Sequence, residues 1–188
     1  MPRLYLVRHG RAAAGFADHA DPGLDDLGRS QAIAAAEQLR ALGPMRLVSS
    51  PLARARETAI PLQSAWSGLP RERRGIEIEP RVAEIPSDLG DLGGRAAWLG
   101  SIMGRRWSSL EAPLQRWARG IVCCLLEQPE DTVVFSHFIA INVAVGWATG
   151  DDRVVHFRPD NASISIIDTD GWQLHLAQAG TEAATQVN

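Results

Sequence analysis

Lysine is absent from the 188 residues, and all nineteen basic side chains are arginine. That absence excludes Schiff-base and lysine-base chemistry, and with it a phosphate loop of the GxxxxGK[ST] kind. Cysteine is scarce: Cys123 and Cys124 are adjacent in an apolar helical run and point to different faces, so no disulfide between them is expected. Buried thiols suit a reducing compartment, and the expected location is the cytoplasm. Long apolar runs are missing too, so no membrane helix is expected, and a first strand starting near residue 3 leaves no room for a targeting peptide. There is no excess of positive charge: the net charge of −3 argues against nucleic acid and membrane surfaces as partners. No glycine-rich GxGxxG follows a strand, and no internal repeat is found.

What remains is an ordinary globular composition, 45% hydrophobic and 22% charged, on a chain long enough for one domain. Leu4-Tyr5-Leu6-Val7 reads as a buried strand that stops at Arg8-His9-Gly10. A long polar loop leads to a helix over about 28–42, closed by Gly43-Pro44. A strand at 45–48 follows, then Ser50-Pro51 as N-cap and first residue of a helix to about Trp66. The sequence Ile76-Glu77-Ile78-Glu79 alternates as a half-exposed strand. Residues 80–108, irregular and glycine-rich, read as an insertion lying over the site as a lid or wall. A helix over 110–127, a strand over 131–136 and a largely buried helix over 138–149 come next. Strands at 164–167 and 172–176 form a hairpin about Asp168-Thr169-Asp170-Gly171. The segment 181–188 reads as a disordered tail.

Strand and helix alternating, with a late antiparallel pair, predict a single α/β domain over 1–188. Its architecture is a three-layer α/β/α sandwich with a mostly parallel sheet. The carboxyl ends of the strands then share one rim, where ligands gather in such folds. Arg8-His9, the stretch from Ser50 to Arg54, Glu84, and Ser136-His137 all fall there. Two arginines, two histidines and nearby helix starts describe a phosphate site. His19 with Asp18 and Asp21 is the one metal-like cluster, a weak one confined to a single loop, and neither metal nor cofactor is expected.

These residues resemble the histidine phosphatase superfamily, the phosphoglycerate mutase-like group. The likeness rests on Leu6-Val7-Arg8-His9-Gly10 and on Ser49-Ser50-Pro51-Leu52-Ala53-Arg54-Ala55 with Thr58-Ala59. Glu84 and Val134-Phe135-Ser136-His137 extend it, with the helix start around Asp25–Ala32 and Asn161-Ala162-Ser163-Ile164 in support. It implies His9 as a nucleophile that becomes a phosphohistidine, with Arg8, Arg54 and His137 holding the phosphoryl oxygens. It also implies Glu84 as the acid that protonates the leaving oxygen. Three departures stand out. Arg11 follows the glycine where acidic, glutamine or threonine residues are common, and is expected either to touch substrate or to lie on the surface. Phe138 follows His137 where glycine is common, and is expected to narrow the pocket. Glu84 lacks the GxWEG sequence that often accompanies it.

The expected activity is metal-independent hydrolysis of a small phosphomonoester. The rivals are mutase-type phosphoryl transfer and a weakly active member that binds a phosphorylated partner. A homodimer is left open.

Overall fold

Leu4, Leu6 and Val7 are fully buried in the first strand, which runs from Arg3 to Arg8 at the heart of the sheet. The computed structural model describes residues 1–15, 19–69, 75–87 and 92–183. Among these, the strands are β1 (Arg3–Arg8), β2 (Arg46–Ser49), β3 (Ile76–Ile78), β4 (Thr132–Ser136), β5 (Ile164–Thr169) and β6 (Leu174–Gln178). They form one sheet in the order β3-β2-β4-β1-β5-β6. The pairs β3–β2, β2–β4 and β4–β1 are parallel, whereas β5 is antiparallel to both β1 and β6. The four-strand parallel part brings four carboxyl ends to one rim. Because β5 runs the other way, it contributes its amino end to that same rim.

The helices are α1 (Asp26–Arg40), α2 (Ala53–Trp66), α3 (Leu92–Met103), α4 (Ala112–Leu126) and α5 (Phe138–Thr149). Strand side chains alternate between the two faces of a sheet, and the cores divide accordingly. Val7, Val133 and Phe135 pack with Ala35, Ala36 and Leu39 of α1 and with Ala55, Ala59 and Leu62 of α2. Leu4, Leu6 and Val134 pack on the opposite side with Ile121, Val122 and Leu125 of α4 and with Ala140, Ile141 and Ala144 of α5. The three-layer sandwich expected from the sequence is therefore present. Residues 138 to 146 of α5 are all buried, as a helix apolar all round should be.

A third, smaller core belongs to the insertion. Ile85, Ile102, Leu110 and Leu114 gather around Phe138 and Ile139 at the start of α5, together with Val154. The expected irregular lid contains one real helix, α3, followed by a 3-10 turn at Trp107–Ser109. Its residues 88–91 lie outside the described residues.

Two local expectations are corrected. Ser50 does not cap α2: the residue at that helix's amino end is Leu52, and the Ala53 N–H is met instead by the Asp21 carboxylate at 2.8 Å. The tail does not begin at 181. Thr181 accepts the Asp160 N–H at 2.8 Å and the Ala183 N–H meets the Arg158 carbonyl at 2.9 Å, so residues 181–183 pair with the loop before β5. The remainder of the expected tail, 184–188, lies outside the described residues.

Candidate active site

Where β1 stops, backbone hydrogen bonds carry the sheet one residue further. The Arg8 N–H reaches the Ser163 carbonyl at 3.1 Å, and the His9 N–H reaches the Ser136 carbonyl at 3.0 Å. The Ala162 N–H meets the His9 carbonyl at 3.3 Å, which ties both backbone polar groups of His9 to neighbouring strands. Such a residue is held as rigidly as strand ends allow, which suits a reacting group.

The His9 ring is fixed as well. Its Nδ1 lies 2.7 Å from the Gly10 carbonyl oxygen. A carbonyl can only accept, so Nδ1 carries the proton and Nε2 keeps its lone pair. The Arg54 Nε–H donates toward that lone pair at 3.2 Å. Burial, then Arg54 and Arg8, hold the imidazole well below the usual histidine range, so at neutral pH the ring is uncharged.

Arg54 arrives on the first turn of α2. Thr58, one turn on, binds the two motifs together: its hydroxyl donates to the Arg54 carbonyl at 2.6 Å and accepts the Gly10 N–H at 3.0 Å. On the far side Arg54 Nη1 comes within 3.9 Å of Asp21. Arg8 is buried and donates through Nη1 to the Pro159 carbonyl at 2.8 Å, while its Nε meets no acceptor among the described residues. Burial lowers the pKa of both arginines, and the Glu84 carboxylate is the largest influence opposing that shift for each.

His137 sits at the amino end of α5, fully buried, with its ring centroid 5.1 Å from that of His9. Its Nε2 is 2.8 Å from the Ser50 hydroxyl, and its Nδ1 has no partner among the described residues. Ser50 also accepts the Leu52 N–H at 3.2 Å. Burial, His9 and the arginines push the His137 pKa well below the ordinary range. A phosphoryl dianion brought against this group would pull it back up, because opposite charge favours the protonated ring.

Glu84 follows a 3-10 turn, Pro80–Val82, that continues from β3. The Ile85 N–H reaches its Oε1 at 2.9 Å. Desolvation of the carboxyl raises its pKa above the usual carboxylate range. The Ile85 and Ile139 N–H groups, Arg54 and Arg8 all act against that rise without cancelling it. Burial thus favours the protonated form more than an exposed carboxylate would experience, and a bound phosphate would push in the same direction. Among the described residues, Glu77 pairs with Arg46 and Glu79 with Arg81.

All five core residues marked in the sequence thus converge, and the two further candidates, Arg11 and Phe138, are placed as follows. Arg11 is exposed and paired with Asp25, whose other oxygen caps α1 through the Gly28 N–H at 2.7 Å. Its charge helps to hold the loop to α1, in keeping with the surface alternative. Phe138 is only 6% exposed, and its ring lies against the Arg8 guanidinium, 5.2 Å from centroid to Cζ.

Sequence reasoning missed Ser50 as the partner of His137, Thr58 as the clasp, and the Pro159 carbonyl as the acceptor for Arg8. The last is backbone and carries no residue-type signal. His19 and His156 stand apart from the site. The His19 Nδ1 accepts the Asp21 N–H at 3.1 Å, and His156 packs against Phe157. Asp18 lies outside the described residues, and the others form no metal-ligating group of three. No described helix is long and apolar enough to cross a membrane.

This arrangement has counterparts. The family model for the histidine phosphatase superfamily, branch 1, matches residues 4–181. A glucosyl-3-phosphoglycerate phosphatase of Mycolicibacterium vanbaalenii is 41% identical over 96 residues, which cover 49% of this chain and 39% of that protein. The match thus spans about two-fifths of that relative. An Erwinia tasmaniensis protein named as a probable phosphoglycerate mutase is 26% identical over 94% of this chain and 93% of its own length. The structure of a mycobacterial glucosyl-3-phosphoglycerate phosphatase in complex with VO3 shares the fold. Its TM-score is 0.69, at 22% identity, over 97% of this chain and 100% of that one. The chain belongs to the histidine phosphatase superfamily.

Proposed function

We propose that this protein is a phosphatase that hydrolyses a small phosphomonoester through a phosphohistidine on His9. The observation that carries the reading is the state of the His9 ring. Its Nδ1–H is held by the Gly10 carbonyl, so Nε2 presents a lone pair between Arg54 and His137. In the first step Nε2 attacks phosphorus, the P–N bond forms and the P–O bond to the leaving group breaks. Glu84 gives its proton to the departing oxygen. In the second step water attacks phosphorus, Glu84 takes the proton back and the P–N bond breaks. Charge on the transferred group is spread over its outer oxygens, and Arg8, Arg54, protonated His137 and the amino end of α5 are placed to stabilise it.

Two buried arginines and two histidines neutralise a phosphoryl group without a metal. Turnover in EDTA should therefore match turnover without it, and loss restored by one divalent ion would remove metal independence from the reading. Two thiols without a disulfide suit the cytoplasm.

Quenching turnover in alkali, where phosphohistidine persists, should give an acid-labile adduct on the peptide containing His9. Label on any other residue, or full activity in His9→Ala, would overturn the mechanism. Transfer of the phosphoryl group back to a sugar acid in place of water, as the Erwinia relative's name suggests for that protein, predicts isomerised product in place of released phosphate. One assay of free phosphate separates the two.

A further inference from the structure

Arg8 has an unusual set of neighbours for a buried guanidinium. Among the described residues no carboxylate lies within ion-pair distance of it. Its direct contacts are one carbonyl, that of Pro159 at 2.8 Å, and the Phe138 ring, whose centroid is 5.2 Å from Cζ. Both partners are neutral. A carboxylate in either place would hold the guanidinium equally well and would cancel the charge an anion needs. An aromatic face attracts the cation through its quadrupole and restricts its tilt without placing a formal negative charge against it, Glu84 and Asp160 acting from beyond ion-pair distance.

The ring itself is immobilised. Phe138 opens α5 and is packed among Ile85, Ile102, Leu110, Leu114 and Val154, the small core of the insertion. This chain has phenylalanine here, immediately after His137, where a glycine could hold nothing.

We propose that Phe138 is a positioning residue. It fixes the plane of the Arg8 guanidinium so that its remaining donors face the phosphoryl group, and it anchors that plane to the core beneath α3. The inference rests on the reading of Arg8 as a phosphate ligand, and it does not require Phe138 to touch substrate.

The test is a double-mutant cycle on orthovanadate affinity, measured as inhibition or by calorimetry on the full chain. Phe138→Leu keeps apolar volume and removes the π face. Its expected effect is a loss of about 3- to 30-fold in vanadate affinity, the range of a desolvated cation–π contact. In an Arg8→Ala background the same change should cost nothing further. Ile102→Val, which loosens the same core without touching the ring, should leave vanadate affinity within about twofold of wild type.

Equal losses from Phe138→Leu with and without Arg8, or an Ile102→Val loss as large, would overturn the inference and leave Phe138 as packing alone. Vanadate affinity undiminished by Arg8→Ala would instead overturn the anion-site reading beneath it. Should Phe138→Leu not fold, Phe138→Met removes the π face with a more adaptable side chain and answers the same comparison.

Discussion

Gly10 and Gly28 meet backbone to backbone, with no room for a side chain on either. A Cβ on Gly10 would press into the Gly28 carbonyl and come within 3.0 Å of its Cα, and one on Gly28 would come within 2.9 Å of the Arg11 nitrogen. This contact is how the loop after His9 is seated on the first turn of α1. The Arg11 N–H to Gln31 Oε1 bond at 2.8 Å and the Asp25 N–H to Arg11 carbonyl bond at 3.1 Å complete the seat.

Gly28→Ala should therefore lift the His9 loop off α1 although it lies outside the site. Overpacking of this kind costs about 1–3 kcal/mol, and the displaced Gly10 carbonyl would loosen the His9 ring. Denaturant midpoints and kcat should both fall. A variant with wild-type stability and wild-type turnover would show that the two backbones move apart freely.

Ser50 sets the state of His137. Without its hydroxyl, neither ring nitrogen of the buried histidine has a protein partner among the described residues, and nothing selects the tautomer. Ser50→Ala should lower kcat about tenfold, in keeping with the cost of an unsatisfied buried polar group, and change KM little. In a His137→Ala background it should add almost nothing. A full Ser50→Ala loss in that background would mean that the serine acts through the α2 start instead.

The two buried histidines make the fold sensitive to acid. Both have folded pKa values pushed well below the 6.5 of an ordinary histidine, by burial first and neighbouring cations second. Between the folded and unfolded values the unfolded chain binds more protons, so stability rises with pH there. The contribution of keeping the rings neutral is full above about pH 6.5 and is lost as pH falls below it, by up to ~1.4 kcal/mol per pH unit per histidine. Glu84 has the opposite sign, because its raised folded pKa favours the folded state at low pH. Melting temperature should thus drop below pH 6.5, less steeply in His137→Asn and more steeply in Glu84→Gln. Saturating phosphate should flatten the drop, since the dianion favours protonated His137. Parallel curves for wild type and His137→Asn would contradict this account.

Much of this was readable in the chain because the relevant signals are local. The run from Leu4 to Val7 could only be a buried strand, and α5 matches its expected span, 138–149, because a helix apolar throughout leaves no ambiguity of face. Arg8, His9, Arg54 and His137 were legible because they sit at strand ends or helix starts within motifs that the resemblance covers, whereas Glu84, beyond a 3-10 turn, was marked by the resemblance alone. What was not legible is long-range. The Asp21 cap on α2 crosses thirty-two positions, and Ser50, a good cap by type, is drawn to His137 instead. The pairing of Arg11 with Asp25, fourteen positions on, was likewise not readable from either residue alone. The bonds of Thr181 and Ala183 to the loop before β5 leave no mark in the residues of the tail.

Glu84 offers the sharpest test of the proposed chemistry. An alkyl phosphate leaves as a strongly basic alkoxide and needs a proton, whereas nitrophenolate leaves without much help. A positioned general acid is worth roughly 10²–10⁴-fold when the leaving group is basic. Burial already raises the Glu84 pKa against the pull of the Ile85 and Ile139 N–H groups and of the two arginines, and a bound phosphoryl dianion raises it further. The neutral His9 supplies the other limb, active above its own depressed pKa. Activity on alkyl phosphates should therefore follow a bell, rising as His9 loses its proton and falling at higher pH as Glu84 ionises. Glu84→Gln should lose about 10²–10⁴-fold on an alkyl phosphate, retain most of the rate of His9 phosphorylation by nitrophenyl phosphate, and lose the alkaline limb. Equal losses on both substrates, with the limb intact, would assign the acid to another group and leave Glu84 a structural carboxyl.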